Sequence, residues 1–147
     1  MEMYVYDDND NLSRRITFEL PVEWYGDSST FHIDKDGDKD RDDIFKLSVW
    51  MVNVKNATRE DVLEEYNLIA MTGNYGEPLE ILNENIYSTE NYEVFYYKSK
   101  GTEAATNIYF YYLYANGERF CLFGYVFDKD KPEYDEIFKR IAESVRF

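Results

Sequence analysis

The densest run of apolar positions lies between residues 107 and 127, on either side of an Asn-Gly pair. Residues 107–115 read NIYFYYLYA, and residues 118–127 read ERFCLFGYVF. Asn-Gly between two β-prone runs predicts a two-residue turn of type I′, because both central residues of that turn need a positive φ. The pattern therefore predicts an antiparallel hairpin that turns at Asn116 and Gly117.

The turn also predicts which residues of the hairpin lie opposite each other. The expected pairs are Leu113 with Phe120 and Tyr111 with Leu122 on one face, and Phe110 with Phe123 and Tyr112 with Cys121 on the other. Both faces are apolar or aromatic, which is typical of strands covered on both sides. We therefore expect this hairpin to form the centre of a sheet.

Other stretches show the alternation of half-buried strands. They are residues 15–20, 30–33, 45–52, 79–87 and 92–98. In the first of them, Ile16, Phe18 and Leu20 would face the core. Residues 7–11, which read DDNDN, form a polar lead-in, and residues 1–13 are expected to be loose.

Two stretches have helical periodicity. In residues 58–72, Thr58 is expected to be the N-cap, with Asp61 three positions later as its capping-box partner. The apolar positions of this helix are Val62, Leu63, Tyr66, Ile69 and Ala70. Near the end of the chain, Asp130 is expected to cap a second helix that has Pro132 in its first turn. Its apolar positions are Tyr134, Ile137, Phe138, Ile141 and Val145.

The order of elements is therefore β-β-β-α-β-β-β-β-α, mostly with hairpin-length connections. This order predicts an α+β fold in which an antiparallel sheet of about six or seven strands is flanked by two helices. A chain of 147 residues without a linker or second core is expected to form a single domain over residues 1–147.

Charge narrows the classes of partner. The 30 acidic residues outnumber the 16 basic ones, giving a formal net charge of −14. Nucleic acids and anionic membranes attract basic surfaces, so neither is an expected partner. No stretch approaches the roughly 20 apolar residues of a membrane span. The first 20 residues also lack the apolar run of a signal peptide. We expect a cytoplasmic protein that is a monomer or a weak homo-oligomer.

The run from Asp34 to Asp43 is the one motif with metal-binding character, since six aspartates and a glycine stand in ten positions. An EF-hand loop needs glycine at its position 6 and glutamate at its position 12. Counted from Asp34, these positions hold Lys39 and Phe45. A solvated connection is the favoured interpretation, and calcium binding remains the alternative.

Catalytic candidates are few. His32 could act as a general base, but no serine or cysteine has an obvious pairing with it. Cys121 is expected inside the sheet, away from the cationic setting that activates a thiol. One cysteine and one histidine do not make a zinc site. Carboxylate pairs such as Glu64 and Glu65 are too numerous to be informative. The sequence therefore predicts no catalytic residue, no cofactor and no metal site, and it identifies no binding residues.

Tyrosine is abundant in the strand-like segments. The nine tyrosines of the predicted sheet are Tyr87, Tyr92, Tyr96, Tyr97, Tyr109, Tyr111, Tyr112, Tyr114 and Tyr125. One interpretation is that their rings form the framework of the sheet while their hydroxyls reach its margins. The other is that part of the sheet is a tyrosine-lined surface or pocket for a partner.

The order of elements resembles the PsbP-like α/β/α sandwich over about residues 14–147. The motifs that carry the resemblance are the strand end at residues 18–21 with Trp24 just after it, and the terminal helix ending Ser-Val-Arg-Phe at residue 147. The superfamily includes a photosystem subunit, a Ran-GTPase nucleotide-release factor, bacterial domains of unknown function and chaperones for secreted effectors. The resemblance implies a non-enzymatic scaffold that binds proteins.

These observations together favour a small acidic protein-binding module without catalysis. An effector chaperone and an immunity-type inhibitor fit the sequence equally well. The alternative from a different class is a carrier that holds a small apolar molecule against the tyrosine-rich sheet face, and an enzyme ranks third.

Overall fold

The computed structural model describes residues 2–6, 12–21, 24–26, 30–33, 45–52, 58–72, 78–101, 106–115, 117–126 and 131–146. The strands are β1 (Glu2–Tyr6), β2 (Leu12–Thr17), β3 (Trp24–Gly26), β4 (Thr30–Ile33), β5 (Phe45–Val52), β6 (Ile81–Ser88), β7 (Glu93–Lys100), β8 (Asn107–Ala115) and β9 (Glu118–Val126). The helices are α1 (Arg59–Thr72), between β5 and β6, and α2 (Pro132–Glu143), after β9.

The main sheet is antiparallel and has the order β3-β4-β5-β9-β8-β7-β6, while β1 and β2 form a separate two-stranded ladder. The predicted α+β class, with two helices and an antiparallel sheet, is confirmed. The sheet order follows the chain from β6 to β9, because each of those strands is joined to the next by a short connection. Strand β6 lies at one end of this order.

The central hairpin has the predicted register. All four expected pairs are present, and Ala115 lies opposite Glu118, which leaves two residues in the turn. Gly117 has a φ of 78°, the left-handed conformation that the turn requires and that glycine adopts without strain. The rings of Phe110 and Phe123 lie 4.6 Å apart on one face.

The hairpin is covered on both faces, as predicted. Tyr109, Tyr111 and Leu113 belong to the core cluster that contains the buried residues of α2. Phe110 and Tyr112 alternate with them and belong to the cluster that contains the buried residues of α1. Because side chains alternate along a strand, one sheet thereby separates two apolar layers, each closed by one helix.

The predicted start of α1 is confirmed in atomic detail. The Asp61 backbone N–H donates to the Thr58 hydroxyl over 3.2 Å, and the Thr58 backbone N–H donates to the Asp61 carboxylate over 2.8 Å. This reciprocal pair satisfies two donors that a helix start leaves free. Val62 and Tyr66 are buried against the sheet. The Tyr66 hydroxyl donates to the Tyr96 carbonyl over 3.0 Å, which ties α1 to β7.

The predicted cap of α2 is wrong by one residue. Lys131, not Asp130, occupies the N-cap position, and its side chain makes no capping hydrogen bond. The reason is that Pro132 already has the backbone angle of a first helical residue, so the helix begins there. Phe138 and Ile141 are buried as predicted. The buried Tyr92 hydroxyl donates to the Ala142 carbonyl over 2.6 Å and fixes the helix end on the sheet.

The beginning of the chain differs from the expected loose lead-in. Glu2–Tyr6 forms β1 and pairs antiparallel with β2. Strand β2 ends at Thr17 rather than at Leu20, and Thr17 exchanges backbone hydrogen bonds of 3.0 and 2.8 Å with Arg146. Ile16 and Phe18 are buried, as the alternation predicted. The chain start is thus held at the α2 side of the sheet. Neither described helix has the length and hydrophobicity needed to cross a membrane.

Candidate functional site

Of the candidates for chemistry, the structure describes Cys121 in full and the backbone of His32. Cys121 is buried opposite Tyr112, and burial raises the pKa of its thiol to about 12. A thiol in this state is a core residue rather than a nucleophile. His32 pairs through its backbone with Tyr25 and Lys46. The run from Asp34 to Asp43 lies outside the described residues, among which there is no group of three metal-ligating side chains.

Most of the sheet tyrosines belong to the framework. Six of the nine are buried, namely Tyr92, Tyr96, Tyr97, Tyr109, Tyr111 and Tyr112. The other three, Tyr87, Tyr114 and Tyr125, are half-buried. Aromatic rings in the two layers therefore pack mainly against each other and the helices. The tyrosine-lined surface considered from the sequence is reduced to the margins of the sheet.

One such margin forms an open groove of about 550 Å³ between β6 and α2, which we call the acidic groove. Its lining residues are Asn83, Glu84, Asn85, Tyr87, Tyr96, Tyr111, Asp135, Glu136, Lys139 and Glu143. Asn83, Asn85 and Tyr87 alternate along β6 and so share its α2 side. Glu84 alternates with Asn83 and Asn85, so its carboxylate stands on the α1 side, where it raises the pKa of Tyr66. The carboxylates that remain on the groove side are those of Asp135, Glu136 and Glu143, and together with the one amine of Lys139 they give the groove an excess of negative charge.

The floor of the groove is rigid. The rings of Tyr96 and Tyr111 stack at 4.7 Å across β7 and β8. Beside them, Asp135 accepts hydrogen bonds from the Tyr109 hydroxyl over 2.6 Å and from the Lys98 ammonium over 2.9 Å. Lys98 has only 9% of its side chain exposed and lies over the Tyr109 ring. These contacts hold α2 at a fixed distance from the sheet, so the groove is formed before any ligand binds.

The hydroxyls around the groove stay protonated at neutral pH. Burial, followed by the nearby Glu143 carboxylate, raises the pKa of Tyr87. Burial also raises the pKa of Tyr111, with smaller contributions from Tyr96 and other neighbours. A protonated phenol donates a hydrogen bond and offers its ring to a cation, but it does not act as a base. The groove is therefore equipped for binding.

The outer edge of β6 lies beside the groove and pairs with no strand in the described part of the chain. Thr89 donates its backbone N–H to the Tyr92 carbonyl over 2.8 Å and so forms a hydrogen-bonded pair with Tyr92. Hydrogen-bonded and non-bonded pairs alternate along an antiparallel ladder. Because the register continues regularly from Ser88 to Asn83, the backbone groups of Glu84, Ile86 and Ser88 point away from β7.

Exposed apolar side chains accompany this open edge. Leu82 is 49% exposed and Ile86 is 45% exposed. A bulge interrupts the pairing between Ile81 and Asn83 and places Leu82 in the extra position. Most natural sheets protect their edge strands with lysine, proline or a covering element. The bulge protects only the start of β6, and the strand contains neither lysine nor proline, so the regular stretch from Asn83 to Ser88 is the part of the edge suited to contact another chain.

Sequence reasoning did not identify this site. A strand was predicted at residues 79–87, where the structure has β6 at Ile81–Ser88, but the place of this strand at the sheet end depends on pairing that the sequence does not reveal. One signal was available, because Asn83 and Asn85 alternate with Glu84 and leave neither face of the strand consistently apolar. Such a strand fits an edge better than the middle of a sheet.

No family model matches the sequence, and no curated protein matches it. The structure is similar to the solution structure of cyanobacterial PsbP (CyanoP) from Synechocystis sp. PCC 6803, with a TM-score of 0.57 and 14% sequence identity. The match covers 99% of this chain and 91% of that chain. The chain therefore has a PsbP-like fold, as the resemblance implied. At this identity the likeness shows the fold alone.

Proposed function

We propose that this PsbP-like scaffold is a non-enzymatic module that binds another protein through the β6 margin. The observation that carries the proposal is the combination of an open strand edge, exposed Leu82 and Ile86, and the acidic groove on the same strand. The sheet of six or seven strands acts as a rigid platform for this margin. The proposed setting is the cytoplasm, where the module would act as an effector chaperone or an immunity-type inhibitor.

The distribution of apolar surface supports this assignment. The large hydrophobic side chains that are exposed in the described part of the chain are Leu68, Met71, Leu82 and Ile86. Leu68 and Met71 lie on the side of a helix, α1, where no row of backbone groups faces outward as it does along a strand edge. Of these four side chains, Leu82 and Ile86 stand on a strand whose outer backbone groups pair with no strand in the described part of the chain, so at these two positions apolar contact and backbone hydrogen bonding can act together.

A capture experiment with matched variants tests the proposal. Purified wild-type protein and the variants Ile86→Lys and Met71→Lys serve as baits in extract of the source cells. Both variants add one charge at an exposed apolar side chain. Wild type and Met71→Lys should capture the same stoichiometric protein, and the purified pair should bind in calorimetry. The Ile86→Lys variant should fail to capture this protein. Equal capture by all three baits would move the binding surface away from β6.

A small-molecule carrier is the second candidate, and the groove gives it specific support. Its volume of about 550 Å³ is in the range of ligand pockets, and tyrosine rings form part of its lining. Native mass spectrometry of the protein purified without denaturation distinguishes the two functions. A bound small molecule displaced by Tyr87→Ala would support the carrier, and a mass equal to that of the polypeptide would favour the protein-binding module.

A further inference from the structure

We propose that the partner contributes an extended segment that pairs with the outer edge of β6 as an additional strand. In this arrangement the segment's cationic side chains enter the acidic groove, and the side chains between them are apolar and lie on the α1 side. This inference rests on the proposed function and specifies its partner as a segment in which basic and apolar residues alternate.

The backbone of β6 supplies the first part of the argument. Glu84, Ile86 and Ser88 direct their N–H and C=O groups away from β7, as the register and the Thr89–Tyr92 hydrogen bond require. They are spaced two residues apart, which is the spacing at which a neighbouring strand presents its own groups. A segment can therefore extend the ladder along the regular stretch from Asn83 to Ser88, with its ends reaching past that stretch.

The side chains of β6 supply the second part. Those of an added strand would alternate between the two faces of the sheet. On the α2 side they would lie next to Asn85 and Tyr87, within the groove that Glu136 and Glu143 line. Among the α2 carboxylates that line the groove, Asp135 already holds Lys98, so Glu136 and Glu143 are the two that would meet an incoming cation, with Lys139 as the one amine beside them. Lysine or arginine fits this position, because the adjacent Tyr87 ring also attracts a cation.

The other face of the added strand meets a different surface. Ile86 alternates with Asn85 and Tyr87 and so stands on the α1 side, which it shares with Glu84 and where it is 45% exposed. An apolar side chain on the incoming strand would cover it as a cross-strand neighbour. The two faces of β6 together thus select an alternating pattern, since a uniformly basic segment leaves Ile86 exposed and a uniformly apolar one leaves the groove carboxylates without cations.

A second copy of this chain is a poorer occupant of the same edge. Pairing of β6 with the β6 of another molecule would bring two acidic grooves together at one junction. Each copy also carries a net charge of −14. Like charges that meet across an interface oppose association, whereas a basic segment complements the groove. Charge complementarity therefore favours a different chain as the partner.

Synthetic peptides test the inference directly. The probe is a blocked octapeptide of alternating lysine and valine, and its controls are an alternating glutamate-valine octapeptide and one with four lysines followed by four valines. Calorimetry should show binding of the alternating lysine peptide that is at least about tenfold tighter than either control. Higher salt should weaken it, since the groove contacts are electrostatic. Amide exchange of Glu84, Ile86 and Ser88 should slow in the complex.

Variants separate the backbone from the charge contribution. Ile86→Pro removes one outward N–H, which an edge strand tolerates, and should weaken the peptide at least about tenfold while circular dichroism stays unchanged. The double variant Glu136→Gln/Glu143→Gln should weaken it by a similar factor, and Glu60→Gln/Glu64→Gln on the exposed side of α1 should not. The charge variants keep the test valid if Ile86→Pro fails to fold.

Three results would overturn strand addition. They are equal binding of the two lysine peptides, unchanged amide exchange along β6, and a wild-type dimer that is lost in Ile86→Lys. The proposed function is tested separately by capture of a natural partner. Capture of a partner by wild type but not by Ile86→Lys would support protein binding at β6. If any of the three results above is found alongside that capture, protein binding at β6 stands and strand addition fails.

Discussion

The contact between Gly124 and Phe138 gives the sharpest prediction about packing. Gly124 lies in β9 opposite Tyr109, and the Phe138 ring of α2 stacks on Tyr109 with the ring centroids 4.6 Å apart. A Cβ atom added at Gly124 would lie 2.6 Å from Cδ1 and 2.7 Å from Cζ of Phe138. The absence of a side chain at Gly124 thus provides the space that the Phe138 ring occupies.

The substitution Gly124→Ala should destabilise the protein for this reason. Overpacking a core costs about 1–3 kcal/mol. The loss of glycine's freedom in the unfolded chain offsets about 0.4–1 kcal/mol of that cost. Because three ring carbons clash, the net loss is expected in the upper part of the resulting range, about 1–2.5 kcal/mol, which corresponds to a fall in Tm of about 2–10 °C for a domain of this size. The clash involves three ring carbons of a buried side chain, so a small rotation of Phe138 does not remove it.

Urea unfolding followed by circular dichroism measures the change, and a double-mutant cycle identifies its cause. Phe138→Leu removes most of the ring atoms that the new methyl group meets. The cost of Gly124→Ala should therefore shrink in the Phe138→Leu background, with a coupling energy of about 0.5–3 kcal/mol. If Gly124→Ala is neutral, or if the two costs simply add, the packing argument is wrong.

Three further predictions concern stability. Thr58→Ala should lower the free energy of unfolding by about 0.5–2 kcal/mol in urea, and Thr58→Ser should retain most of it, because the hydroxyl caps α1. Tyr112→Phe should cost about 1 kcal/mol or more, since it removes the 2.5 Å hydrogen bond to Glu65; an unchanged urea midpoint would contradict this. Burial raises the pKa of both Tyr66 and Cys121 to about 12, so the folded state favours their protonated forms. Their stabilising contribution is complete below the unfolded values of about 10 for tyrosine and about 8.5 for cysteine, and it is lost as pH rises toward 12. Absorbance at 295 nm and circular dichroism should therefore change together above pH 10, and full tyrosine ionisation in a folded protein would refute the burial.

The parts of the fold that the sequence predicted depend on local chemistry. The Asn-Gly pair and the alternation around it specify both the turn and the register, so the pairing of Phe110 with Phe123 could be inferred. The start of α1 could also be predicted from local sequence, since the two residues that bond to each other there, Thr58 and Asp61, are three positions apart. The predicted cap of α2 was wrong by one residue, because Pro132 is the first residue of the helix and the N-cap position is therefore Lys131.

The candidate site could not be predicted because it forms between distant parts of the chain. Asn85 in β6 and Glu136 in α2 are 51 positions apart in sequence, and only the folded sheet brings them to one groove. The same holds for β1, whose pairing with β2 depends on residues after the polar lead-in. Burial of individual tyrosines also depended on strand order: Tyr96 lies in the interior of the sheet, whereas Tyr87 lies at its edge.

The use of tyrosine in the framework bears on where recognition takes place. Four tyrosine hydroxyls join the sheet to the helices, through Tyr66 to the Tyr96 carbonyl, Tyr92 to the Ala142 carbonyl, Tyr109 to Asp135 and Tyr112 to Glu65. Phenylalanine at these positions would fill the same space without the bonds, so the choice of tyrosine is explained by helix attachment. These four tyrosines are fully engaged inside the protein and are not available to a partner. The described surface at β6 combines the carboxylates of the acidic groove, the half-buried Tyr87 and the open backbone of the strand, and this combination is why we propose the binding site at this margin rather than on a tyrosine-covered sheet face.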